Sequence, residues 1–131
     1  MTTFESSVSI AQPIEKVYAF LSDLNNHQQL MPENIYNWSS TADEAKFTIQ
    51  NMAKLALKVS SRVENSEISI DPSEEAPFAL NMKWLVVTDV NGTTAKLIVS
   101  AELNMMMKMM ASGPLQKLVD HQTSALEKAL A

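Results

Sequence analysis

Asn104-Met105-Met106-Met107-Lys108-Met109-Met110-Ala111-Ser112-Gly113 leads into an amphipathic run from Pro114 to Ala131. This C-terminal sequence sets the architecture of everything before it. Placed at about 100° per residue, Leu115, Leu118, Val119, Ala125, Leu126, Ala129 and Leu130 share one face. Lys117, Asp120, Glu127 and Lys128 take the opposite face, and Gln122 sits in the middle of the apolar one. The run predicts a long C-terminal helix, opened by Ser112-Gly113-Pro114 with Ser112 as its cap. A final strand, Thr93 to Met107, feeds it. A helix of this kind must lie on something apolar. Methionines at its threshold and one amide pointing inward suggest a cavity.

The chain upstream supplies the apolar partner. Phe4, Ser6, Val8 and Ile10 alternate with Glu5, Ser7 and Ser9, as in a half-buried strand. Gln12-Pro13 stops it, and proline suits a first helical turn because its missing N–H would be unpaired there. Ile14, Val17, Tyr18, Leu21 and Leu24 then form a helical stripe, and His27 to Met31 fits one more short turn before Pro32. From Ile35 the period becomes two. Strands are expected around Tyr36 and Trp38, over Ala45–Gln50, after Asn51 over Ala53–Glu64, at Ile68 and Ile70, and over Phe78–Val86. A loop is expected from Asp71 to Pro77. The long alternation places Ala53, Leu55, Leu57, Val59, Ser61 and Val63 on one face, the pattern of an antiparallel sheet with one solvated side. Asn91-Gly92 is a hairpin signal, since both residues tolerate positive φ. The expected class is α+β: a curved antiparallel sheet of about seven strands gripping one long helix, in a single domain over residues 1–131.

Composition removes several functions. The 131 residues carry a net charge of −5, which argues against a nucleic-acid footprint and a polybasic membrane patch. There is no Cys, hence no disulfide or thiolate metal site. No apolar run approaches the ~18 residues of a membrane span, and the first residues lack a signal-peptide pattern. A cytoplasmic protein without stable membrane insertion is the expectation.

Val8 to Asp23, with its Gln12-Pro13-Ile14-Glu15-Lys16-Val17-Tyr18-Ala19-Phe20-Leu21 core, and Leu30-Met31-Pro32-Glu33 followed by Trp38 carry a further signal. With the terminal helix, they resemble the START-like, or Bet v 1-like, superfamily, also called the polyketide cyclase/dehydrase and lipid-transport group (SRPBCC). The resemblance covers the whole chain. It implies a helix-grip fold with a pocket between sheet and helix, and it does not imply one chemistry.

The candidate ligand-binding residues are Tyr36, Trp38, Phe47, Leu57, Met82, Trp84, Leu103, Met105, Met107, Leu118 and Gln122. Buried Tyr and Trp want hydrogen-bond partners, so these aromatics suit either core or pocket. Methionine is flexible and polarizable and suits an adaptable wall. Five methionines lie between Met105 and Met110, so on a strand alternate ones would be exposed, forming a lip or a dimer contact. Gln122 either orients a ligand or bonds a backbone group, Ser6 or Ser61. His27 and His121 read as exposed, and neither has metal-ligand spacing. Asp23 and His27 are placed to meet at a helix end. No catalytic residue, metal or cofactor is called for. The mostly apolar inward set favours binding of a small hydrophobic ligand (a lipid, quinone or aromatic polyketide) by a monomer or homodimer. A cyclase-, aromatase- or hydratase-like enzyme and a protein-interaction module are the alternatives.

Overall fold

The computed structural model describes residues 2–50, 53–74, 76 and 78–131. The chain runs β1 (Thr2–Ile10), α1 (Ile14–Ser22), a 3-10 segment (Leu24–Leu30), β2 (Ile35–Ser40), β3 (Glu44–Ile49) and β4 (Ala53–Val63). It continues through β5 (Glu67–Pro72), β6 (Leu80–Asp89), β7 (Gly92–Ala101) and α2 (Met105–Ala129). The seven strands form one antiparallel sheet in the order β1-β7-β6-β5-β4-β3-β2. It is the expected meander, with β1 added beside β7, and the long C-terminal helix packs against it. Glu75 and Pro77 of the loop expected from Asp71 to Pro77, and the inward direction expected for Ala53, lie outside the described residues.

Strand alternation decides which side chains point inward. On β7, Ala95, Leu97, Val99 and Ala101 are buried; on β6, Met82, Trp84 and Val86 are. α1 presses Val17 and Leu21 onto β5, β6 and β7. α2 lies mainly along β1, with further contact to β7 and the 3-10 segment. Three hydrogen bonds fix that placement: Ser6 Oγ with Thr123 Oγ1 at 2.6 Å, Gln116 Nε2 donating to the Glu5 carbonyl at 3.1 Å, and Gln12 Nε2 donating to the Leu130 carbonyl at 3.0 Å. The β6–β7 hairpin turns through Val90 and Asn91, one residue earlier than the Asn91-Gly92 signal, and Gly92, the first residue of β7, takes a φ of +146°. A Cβ there would stand 2.3 Å from the Ile10 carbonyl, so only glycine lets the hairpin tip meet the end of β1.

Two expectations need correction. The last strand ends at Ala101, not Met107, and the helix begins at Met105, not Pro114. Asn104 is the cap, its side chain accepting from the Met107 N–H at 2.9 Å. Ser112 does not cap; its hydroxyl donates back to the Lys108 carbonyl. Methionine is a good helix former, so the run coils once the alternation stops. Pro114 then lies inside the helix, which forgoes one backbone bond there.

The second correction concerns β4. The register shifts between Val59 and Ser61, a bulge that reverses the faces beyond it. Ser61 and Val63 therefore point out to solvent, and Arg62 turns toward α1. Its guanidinium donates to the Ser22 carbonyl, an orphan acceptor at the end of α1, and to the Ala42 carbonyl and Asp43 in the β2–β3 turn.

Candidate functional site

The sheet and α2 enclose a cavity of about 50 Å³. Its floor is the inner face of β3 to β7, including Phe47, Leu57, Ile70, Met82 and Val99. Leu115, Leu118 and Gln122 of α2 form one wall; Leu24, His27 and Met31 form another. Trp38 closes the β2 side, stacked on Phe47 with ring centroids 5.3 Å apart and 13° between planes. Its indole N–H donates to Ser40 Oγ at 2.9 Å, so the ring is held at its polar edge and offers a face to the interior.

Six of the eleven candidate residues meet on this surface: Trp38, Phe47, Leu57, Met82, Leu118 and Gln122. The other five lie off it. Tyr36 is 46% exposed on edge strand β2. Leu103 is half-buried beside the core, and Met107 half-buried on the first turns of α2. Met105 is exposed. Trp84 is fully buried behind His27, with the two ring centroids 6.5 Å apart and nearly perpendicular, and its indole N–H has no acceptor.

Two polar side chains stand in the apolar wall. Gln122 is 2% exposed, and its Oε1 has no hydrogen-bond partner. The expected alternative partners are engaged elsewhere or absent: Ser6 bonds Thr123, and Ser61 faces solvent. His27 is buried rather than exposed, contrary to expectation. A 3-10 helix has three residues per turn, so Leu24, His27 and Leu30 stack on one inward face. That period was the missed signal. His27 Nε2 donates to the Leu21 carbonyl at 2.8 Å, which leaves Nδ1 as a bare acceptor in the neutral ring. Burial holds its pKa below the ordinary 6.5, outweighing the upward pull of the Leu21 carbonyl and of Asp23. Asp23 itself caps the 3-10 segment through Asn25 N–H. His121 is exposed as expected, with Nδ1 3.1 Å from the Leu30 carbonyl.

A second apolar surface lies outside the cavity. Met105, Met106, Met109 and Met110 are each 71–82% exposed on the first two turns of α2. No helix among the described residues is long and apolar enough to cross a membrane.

No family model and no curated protein matches the chain. Solved structures do. The solution structure of KanY superposes with a TM-score of 0.82 at 14% identity, covering 98% of this chain and 97% of that one. XoxI from Bacillus cereus gives 0.77 at 14%, covering 99% and 96%. The Aha1 dimer from Colwellia psychrerythraea gives 0.71 at 19%, covering 99% and 96%. Likeness at these identities speaks to fold, and over 98–99% of its length this chain has the helix-grip fold that the sequence resemblance implied.

Proposed function

We propose that the protein binds a compact, mostly apolar ligand between the sheet and α2. The observation that carries this reading is one enclosed apolar wall, contributed by β2 to β7, the 3-10 segment and α2, with a single unpaired amide oxygen in it. Ligand sites have this composition, apolar with a few placed polar groups. The volume narrows the class. About 50 Å³ is well below the several hundred that drug-sized ligands fill. A sterol or an extended polyketide would require the sheet and helix to part; a single ring or a short chain asks for a smaller displacement, toward which the flexible Met31 and Met82 on the wall can contribute.

A reaction has less support. A cyclase or hydratase needs a positioned acid or base. Tyr36 and Asp23 stand away from the cavity, and the one titratable group on its wall, among the described residues, is His27, already bonded to Leu21. The exposed methionine face favours a second reading, a homodimer through α2, and the dimeric Colwellia structure supports testing it.

Native and denaturing mass spectra of gently purified protein test both. A small mass lost on denaturation supports the ligand reading. A bare protein with no thermal shift across single-ring and short-chain compounds contradicts it, and a dimer mass would then support the α2 contact.

A further inference from the structure

We infer that the cavity selects a neutral ligand bearing a hydroxyl group, bound to the Gln122 amide, over both its purely apolar isostere and its carboxylate counterpart. The inference rests on the ligand-binding reading above and adds the chemistry at the ligand's polar end.

The argument starts from Gln122. A glutamine amide brings two acceptor sites on oxygen and two N–H donors. Here the side chain is 98% removed from solvent by its 2% exposure, it lines the cavity, and Oε1 receives no hydrogen bond. An apolar residue would fill the same position on α2 without that cost, and its neighbours Val119 and Leu126 on the same face are apolar. The neighbouring Thr123, equally buried, is satisfied by Ser6 and by the Asp120 carbonyl. Of the two buried side-chain polar atoms without a partner among the described residues, the Trp84 indole N–H lies off the cavity and Gln122 Oε1 belongs to a residue that lines it.

A hydroxyl is the group that satisfies an amide best in either orientation, because it donates to oxygen and accepts from N–H. A methyl group of the same size leaves the oxygen unpaired. A carboxylate is an acceptor only and arrives charged, with no Lys or Arg on the wall, among the described residues, to pair it. His27 does not supply the missing charge. Nε2 is committed to the Leu21 carbonyl, and burial disfavours the charged form of the ring.

Phenol, toluene and benzoate test this directly, since phenol and toluene differ by one OH-for-CH₃ exchange. Binding is followed by heteronuclear NMR of the intact chain, for the natural sequence, for Gln122→Leu, and for Leu118→Ala, which widens the wall in case a ring is held out by size. The expected result is phenol tighter than toluene by about tenfold, the worth of one buried hydrogen bond. Benzoate does not bind, and Gln122→Leu abolishes the phenol preference. If phenol and toluene bind equally, or the preference survives Gln122→Leu, this inference is wrong and the cavity remains a ligand site. If nothing binds to the natural sequence or to Leu118→Ala, the binding reading itself fails and the inference with it.

Discussion

The same strands behave differently at their two ends. At one end, Ile68 of β5, Trp84 and Val86 of β6, and Ala95 and Leu97 of β7 meet Val17 and Leu21 of α1. Trp84 and Leu97 have no exposed surface. Two residues along, on the same inward face, Ile70, Leu80, Met82, Val99 and Ala101 line the cavity instead. The alternation is continuous through both ends. What differs is the cover: α1 seals the first end, whereas α2 lies along β1 and only flanks the second. Strand periodicity thus fixes which side chains point inward, and the helix above them decides whether the space is filled.

The largest expected contrast is between two leucines. Leu97→Ala at the sealed end should cost about 4–5 kcal/mol, because close-packed neighbours cannot collapse into the void, whereas Leu57→Ala on the cavity wall should cost about 2–3 kcal/mol. Urea denaturation of the two variants measures the gap; equal losses would break the comparison. Gln122→Leu should act with the opposite sign. Removing an unsatisfied buried acceptor should stabilise the free protein by about 1–3 kcal/mol, read from the same curves. A loss of stability there would mean that the amide is bonded in solution.

The boundary between the two ends carries a pH signature. His27 touches Trp84 on one side and the cavity on the other. Its folded pKa lies below the unfolded 6.5, so the unfolded chain binds the extra proton first. Stability from this group is complete above pH 6.5 and should decline as pH falls below it, by at most about 1.4 kcal/mol per pH unit. His27→Gln should flatten that decline in thermal melts between pH 7 and 5. The smallest effect belongs to α2. Nothing lies within 4 Å of a Cβ at Gly113, so Gly113→Ala should stabilise the helix by about 1 kcal/mol, seen as a modest rise in Tm. No gain would mean that the helix is not formed through Gly113 in solution.

Much of this was legible in the sequence because it rests on local periodicity. The seven strands, α1 and the inward face of α2 follow from periods of two and 3.6, and the β6–β7 hairpin from the turn chemistry of Asn91-Gly92, one residue out of register. Phe47, Leu57 and Met82 reach the cavity because strand alternation aims them at it, and Leu118 and Gln122 because helical spacing does; Trp38 reaches it beyond a register shift in β2 that leaves Tyr36 outside. The failures come where the period changes without a marker. The β4 bulge inserts one residue and inverts Ser61 and Val63. The methionine run continues the strand by eye, yet it coils once Asn104 caps it. His27 obeys a three-residue period that a seven-residue segment barely announces. Trp84 points inward as expected, but whether an inward residue meets ligand or core depends on α1, which no strand pattern encodes.

Methyl-labelled methionine separates the two surfaces in one experiment. Met31 and Met82 line the cavity, while Met105, Met106, Met109 and Met110 stand exposed on α2. Titrating ¹³C-methyl-Met protein with phenol should shift the Met31 and Met82 resonances and leave the four exposed methyls unmoved. The opposite result would contradict the cavity as the functional site: a silent Met31 and Met82, with exposed methyls shifting as protein concentration rises.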